Sequence, residues 1–175
     1  SPEIAIVGHS QGGHGAQSAH ELAASYAPEL DVVGTVSLAP AAMFDRTYGG
    51  VDDIVSRIVT SMSLYGLATE HDDLRFGDYV SAESAEAGQV MATDCVDTVI
   101  ATLVPFAARP DYWTADPTIT DPAATVLKDN DVGNVAADAP LLLVGGTADE
   151  RVAPQRVQDL FRRLCTTGQA TQLIM

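Results

Sequence analysis

The residues best suited to chemistry lie near the start of the chain, at Gly8-His9-Ser10-Gln11-Gly12. A serine in this G-x-S-x-G pattern can occupy the tip of a sharp strand-to-helix turn, where its hydroxyl is exposed for nucleophilic attack. We expect Gly8 and Gly12 to be required, because a side chain at either position would collide with the neighbouring strand or helix. The backbone N–H of Gln11 would then serve as an oxyanion donor at the positive end of the helix. The pattern therefore predicts Ser10 as a nucleophile.

A serine nucleophile needs a base to accept its proton and an acid to orient that base. In proteins with this turn, the acid and then the histidine follow the serine along the chain. Asp149 is the expected acid, since it follows an apolar strand and the turn formed by residues 145–148. Glu150 is the adjacent alternative. Both residues would also be favourable simply as acidic groups near a helix N-terminus.

The base is not evident, because all four histidines precede Asp149: His9, His14, His20 and His71. The side chain of His9 is directed away by the turn, two more histidines lie on the following helix, and His71 lies in an acidic stretch. We expect all four to be structural or solvated. The catalytic histidine is expected beyond Met175.

Strand and helix patterns alternate around these residues, which favours the tight turn over a flexible Gly/Ser loop. Continuous apolar runs predict buried parallel strands at residues 4–7 and 141–144, and further strands are predicted at residues 31–38 and 172–175. Helices are predicted at residues 13–26 and 154–167. The first helix should place Ala16, Ala19 and Ala23 against the sheet.

Residues 41–139 interrupt this alternation with helical patterns. Apolar residues recur at helical spacing in two groups: Val51, Ile54, Val55, Ile58, Val59, Met62 and Tyr65, then Val96, Val99, Ile100, Leu103 and Val104 before Pro105. Asp121-Pro122 predicts the start of a short helix through Leu127. We therefore expect a partial α/β-hydrolase fold: a parallel sheet flanked by helices, with core residues 1–40 and 140–175 and a helical lid insertion at 41–139. An independent helical subdomain is the alternative.

Composition excludes several classes of protein. The 175 residues contain 24 acidic and nine basic side chains, and the formal charge of −15 disfavours nucleic-acid binding. We expect no transmembrane segment, because the apolar runs are too short. The two cysteines are too few for a cysteine-rich metal site, and we predict neither a metal nor a cofactor.

Residues 8–13, the long insertion and residues 145–154 together resemble the secretory lipase family of fungi and actinobacteria. This resemblance implies an α/β-hydrolase of the triacylglycerol lipase type, with Ser10 as nucleophile, Asp149 as triad acid and Gln11 as oxyanion donor. It also implies that the insertion is a lid over an acyl-chain tunnel, with a lipid or other ester as substrate and transient contact with a lipid interface.

Members of that family are secreted and contain disulfides, which implies an extracellular location for Cys95 and Cys165. The family's first sheet strands, the loop that gives the second oxyanion donor and the segment with the triad histidine have no counterpart in this sequence. We therefore expect a fragment that is inactive by itself. Within the same mechanism, a peptidase or thioesterase is an alternative, and a non-catalytic hydrolase-like binding domain is another.

Overall fold

The structure, a computed structural model, describes residues 2–44 and 54–175, so Val51 lies outside the described residues. The chain divides into two compact units. One consists of Ser1–Phe44 with Asp131–Met175 and is called the α/β unit below. The other is Asp45–Asn130, called the helical unit.

The α/β unit contains a four-stranded parallel sheet in the order β1-β2-β3-β4. Its strands are β1 (Glu3–His9), β2 (Asp31–Leu38), β3 (Leu141–Val144) and β4 (Thr171–Ile174). The α-helices of the described chain are α1 (Gln11–Tyr26), α2 (Ile54–Leu67), α3 (Ala82–Ala87), α4 (Val96–Ala107), α5 (Ala123–Asp129) and α6 (Pro154–Thr167). The parallel strands and the helices that connect them confirm the architecture predicted for this part of the chain.

Strand β1 is more exposed than predicted. Its residues alternate between exposed and half-buried positions, and Val7 is 66% exposed. Within the described residues β1 lies at the edge of the sheet, and α1 packs against only one of its faces. The prediction of a fully buried strand was wrong because an apolar run does not reveal whether both faces of its sheet are covered.

Helix α1 meets the sheet through polar side chains as well as small ones. Its buried residues are Gly13, Ala16, Gln17 and His20, whereas Ala19, predicted to face the sheet, is exposed. Gln17 Nε2 donates to Ser37 Oγ at 2.9 Å, and that hydroxyl donates to the carbonyl of Gly13 at 2.9 Å. One turn later, His20 Nδ1 is hydrogen-bonded to Thr35 Oγ1 at 2.9 Å.

The helical unit has a core of its own. Helix α2 packs on α4, and Ile58, Val99 and Leu103 are buried. Buried Ser61 and Tyr112 are joined by a hydrogen bond of 2.6 Å between their hydroxyls. Both predicted helices of this unit are present in the described residues. None of the helices in residues 2–44 and 54–175 has the length and apolar character needed to cross a membrane.

Two helix ends in the helical unit differ from the predictions. Helix α4 extends beyond the predicted apolar pattern, through Pro105 to Ala107. Helix α5 begins at Ala123 rather than Pro122. Asp121 nevertheless binds its first turn, since Oδ1 accepts from the Thr125 backbone N–H at 3.2 Å and its hydroxyl at 2.7 Å.

The turn between β1 and α1 brings two stretches of backbone into direct contact. A Cβ atom on Gly8 would lie 1.8 Å from the carbonyl oxygen of Gly12, and one on Gly13 would lie 2.9 Å from that of Leu38. A Cβ on Gly12 would meet no atom within 4 Å. The steric requirement predicted for Gly8 is confirmed. For Gly12 it was wrong, because the helix approaches β2 at Gly13.

This geometry predicts opposite outcomes for two alanine substitutions. Gly8→Ala should destabilise the protein by about 3 kcal/mol or more, since the new methyl group would meet fixed backbone. Gly12→Ala should be neutral or stabilising by up to about 1 kcal/mol, because alanine favours helix and the position is open. Urea unfolding measures both free energies, and equal losses for the two variants would contradict the packing described.

Because His20 is buried, we expect the protein to lose stability at mildly acidic pH. Burial lowers the pKa of His20, and the side chain of Gln169 offsets this only in part. The unfolded chain therefore binds a proton more readily than the folded one below about pH 6.5, and stability should fall as the pH drops through this window. Melting temperatures between pH 7.5 and 5 should fall less in His20→Gln than in the wild type. The other titrating groups are common to both proteins, so identical slopes would refute the role of His20.

Candidate active site

Ser10 occupies a strained position at the N-cap of α1. Its backbone has φ 57 and ψ −118, a region that non-glycine residues rarely adopt. Its N–H donates to the Leu38 carbonyl at 2.9 Å, and its own carbonyl accepts from the N–H groups of Gly13 and His14 at 2.9 and 3.2 Å. A conformation of this kind costs about 1–3 kcal/mol and persists where the surroundings determine it. The close contact at Gly8 is part of those surroundings.

The hydroxyl of Ser10 is not used to cap the helix that it begins. Serine at this position usually accepts a hydrogen bond from the first turn through its side chain. Without that bond, the hydroxyl stays available at the positive end of α1. Gln11 is the first residue of α1 and is exposed. Its N–H belongs to the first helical turn, whose donors have no partner within the helix.

Asp149 lies in a turn that orients its carboxylate. Oδ1 accepts from the backbone N–H groups of Arg151 and Val152 at 2.8 and 2.9 Å. These bonds fix the side chain and leave its second oxygen to accept from another group. The side chain is half-buried, whereas that of Glu150 is exposed. The geometry thus favours Asp149 over its neighbour as the residue that could orient a base.

Both residues lie beyond the carboxyl ends of parallel strands, and hence at the same edge of the sheet. Ser10 follows β1 and Asp149 follows β3, with β2 between these two strands. Two strand spacings separate the ends of β1 and β3 by about 10 Å. A group that joins Ser10 to Asp149 must therefore pass over the end of β2.

The chain that leaves β2 forms a second strained segment in this place. Residues 39–44, called the β2 loop below, contain two non-glycine residues with positive φ: Ala39 at 41 and Met43 at 58. The Ala41 N–H donates to the Ser10 carbonyl at 3.2 Å, and the Ala39 N–H donates to the Val144 carbonyl at 2.7 Å. Sequence reasoning missed this loop, because alanine and methionine give no signal for such a backbone.

Two of the four histidines are held by contacts within the α/β unit. His14 Nδ1 is bonded to the Ala41 carbonyl at 2.8 Å, and its ring lies against Phe44. His20 is buried against β2. His9 ends β1 with an exposed side chain, and His71 belongs to the helical unit. The described structure thus shows structural contacts for His14 and His20.

A metal centre is not evident in the part of the chain that the structure describes. There, no three or more His, Cys, Asp or Glu side chains are grouped so that they could hold a metal ion. The chemistry that this edge of the sheet offers is a serine hydroxyl, helix N–H donors and an oriented carboxylate.

Solved structures share this fold at low sequence identity. The rice cell wall degrading esterase LipA from Xanthomonas oryzae superposes with a TM-score of 0.77 at 16% identity, over 98% of this chain and 50% of that chain. Candida antarctica lipase A in its closed state gives a TM-score of 0.75 at 21% identity, over 98% of this chain and 42% of that chain. The chain therefore spans half or less of the length of these proteins, and the partial α/β-hydrolase fold predicted from the sequence is confirmed.

No curated protein sequence matches the chain at a significant level. The model of one protein family, described as secretory lipase, matches residues 1–172. Because this match includes the turn at Ser10, the β2 loop and the turn at Asp149, the chain belongs to the secretory lipase family.

Proposed function

We propose that the protein hydrolyses carboxylic esters through an acyl-enzyme on Ser10. The observation that carries this proposal is the strained backbone of Ser10 at the N-terminus of α1, with Asp149 beyond the same edge of the sheet. Membership of the secretory lipase family supports the substrate class. The esterase and lipase of the same fold support it only at the level of architecture.

In the proposed mechanism, Ser10 Oγ attacks the ester carbonyl while its proton passes to a histidine. Asp149 orients that imidazole through the carboxylate oxygen left by the bonds to Arg151 and Val152. The N–H of Gln11 stabilises the oxyanion of the tetrahedral intermediate. The histidine then protonates the departing alcohol, and water releases the acid from the acyl-enzyme by the same steps.

The histidine of this mechanism would come from outside the 175 residues. The positions of His14 and His20, each bonded to another part of the α/β unit, support this view. A second oxyanion donor would come from outside as well. We therefore propose that the 175-residue chain does not turn over esters by itself, because a serine without its base is a poor nucleophile at neutral pH.

The test compares the 175-residue chain with a longer protein that is extended at both ends. Hydrolysis of p-nitrophenyl esters and labelling by a fluorophosphonate should occur in the longer wild-type protein and be lost in its Ser10→Ala variant. Asp149→Asn should lower kcat by about three to four powers of ten, as expected when a triad acid is neutralised.

Glu150→Gln is the matched control, since it neutralises the adjacent exposed carboxylate. It should leave kcat within about twofold of wild type, as surface changes usually do. An equal loss of kcat in Asp149→Asn and Glu150→Gln would refute the assignment of Asp149 as the triad acid. Robust turnover by the 175-residue chain would mean that one of its own histidines is the base. A longer protein that binds lipid without hydrolysis would favour a non-catalytic domain.

We also propose that the helical unit contacts the acyl chain or the lipid interface, as a lid does. Buried Ile58 and Leu103 already belong to a packed core, so they do not support this role. The exposed apolar residues of the unit do support it: Val59, Val96, Val104 and Ile119. Apolar side chains left in water favour contact with other apolar surfaces.

A polar substitution at an exposed position of this group should change chain-length preference. In the longer protein, Val104→Asn should lower kcat/KM for long-chain esters about fivefold relative to short-chain esters, the effect of losing about 1 kcal/mol of apolar contact. Leu22→Asn, at an exposed apolar residue of α1, is the control and should leave this ratio unchanged. A ratio unaffected by Val104→Asn would count against a lid.

Secretion is a proposal that rests on the family description. Cys95 and Cys165 are both exposed and are not bonded to each other. An oxidising environment would allow each of them to form a disulfide with a cysteine outside these residues.

A further inference from the structure

We propose that Asp131 is a positioning residue that holds the β2 loop in its strained shape beside Ser10. Asp131 is the first residue of the α/β unit after the helical unit, whereas the β2 loop is the last segment before it. The side chain of Asp131 thus joins the two places where the chain leaves and re-enters the α/β unit. The effect that we infer on ester hydrolysis rests on the proposed function, whereas the effect on the loop does not.

The carboxylate of Asp131 is a centre of hydrogen bonds. Oδ1 accepts from the N–H groups of Met43 and Val132 at 2.8 and 3.0 Å, and Oδ2 accepts from that of Phe44 at 3.3 Å. Arg163 Nη1 of α6 donates to Oδ2 at 2.6 Å and to the Val132 carbonyl at 3.1 Å. The Asp131 side chain is only 2% exposed. Because a buried carboxylate is costly unless it is fully bonded, this arrangement depends on every partner.

Side chains from α1, from α6 and from Asp131 hold successive residues of the β2 loop. His14 of α1 binds the Ala41 carbonyl, and Arg156 of α6 donates to the Ala42 carbonyl. Asp131 binds the next two N–H groups, including that of Met43. The positive φ of Met43 thus lies at a residue whose backbone is fixed by a buried charge. Strain that is determined from several directions is typical of functional sites.

The β2 loop links this constraint to Ser10 and to the end of β3, the strand that precedes Asp149. Its residues bind the backbone of Ser10 on one side and of Val144, the last residue of β3, on the other. It also follows the strand that lies between β1 and β3, the strands that precede Ser10 and Asp149. A shift of about 1 Å in such a support can cost two powers of ten in rate. Loosening Asp131 should therefore reduce the rate of acylation more than it weakens substrate binding.

The test uses the complete protein with the variants Asp131→Ala, Asp131→Asn and Arg163→Gln. Asp131→Ala removes all bonds to the loop. Asp131→Asn keeps an amide oxygen for Met43 but loses the charge that pairs with Arg163. If the alanine variant does not fold, the asparagine variant still allows exchange and kinetics to be measured. Ser61→Ala is the matched control, because it removes a buried hydrogen bond in the helical unit, that between Ser61 and Tyr112.

Hydrogen exchange gives the readout that does not depend on activity. Exchange at the amides of Met43 and Phe44 should be at least about tenfold faster in Asp131→Ala, and less so in Asp131→Asn and Arg163→Gln. Ser61→Ala should leave exchange at these two amides at the wild-type rate while it lowers the melting temperature. Wild-type exchange at Met43 in every folded Asp131 variant would overturn the proposal.

Kinetics with a short-chain ester tests the consequence for Ser10. Asp131→Asn should lower kcat and the rate of fluorophosphonate labelling about tenfold with little change in KM, and Ser61→Ala should change neither. A rise in KM alone would show that Asp131 acts on substrate binding, and an equal loss of kcat in Ser61→Ala would show that it acts only through stability. Either result would overturn the positioning role. A complete wild-type protein with no ester hydrolysis would refute the proposed function instead, and the exchange result would still decide the role of Asp131.

Discussion

The contact between the end of β1 and the first turn of α1 is the constraint on which the rest of the site depends. The two backbones approach so closely at Gly8 that a single methyl group has no room. This close approach forces the chain to change direction sharply at a single residue. That residue is Ser10, whose φ is positive. As a result, the serine hydroxyl and the N-terminal donors of α1 are presented together. In the proposed mechanism these donors would stabilise the oxyanion, because they are in place before the reaction.

Polar bonds between α1 and β2 complement this contact. The hydrophobic effect is non-directional, whereas hydrogen bonds are directional. The bonds from Gln17 to Ser37 and from Ser37 to the Gly13 carbonyl fix how far α1 is rotated about its axis. The rotation of the helix decides where the N–H groups of its first turn point. Polar residues on a buried helix face therefore serve to orient the same donors.

Sequence patterns predicted the parts of the fold that depend on local chemistry. Glycine spacing indicated the turn at Ser10, apolar runs indicated the strands, and the helix predicted at residues 154–167 is observed over the same range as α6. Patterns failed where the outcome depends on what packs from a distance. The exposed face of β1 follows from the coverage of the sheet, and the strain at Met43 follows from a carboxylate 88 residues further along the chain. Neither the exposed face of β1 nor the strain at Met43 can be predicted from the types of the neighbouring residues.

The bond between Asp131 and Met43 also bears on how such a protein can diversify. It closes a loop between residues separated by 88 positions. Loop-closure entropy grows only with the logarithm of length, so doubling that loop would cost only about 0.6 kcal/mol. Insertions or deletions within the helical unit would thus leave the ends of the loop, and the strained backbone near Ser10, almost unaffected. The chain between these two anchors can therefore change in length at little cost to the β2 loop that they hold.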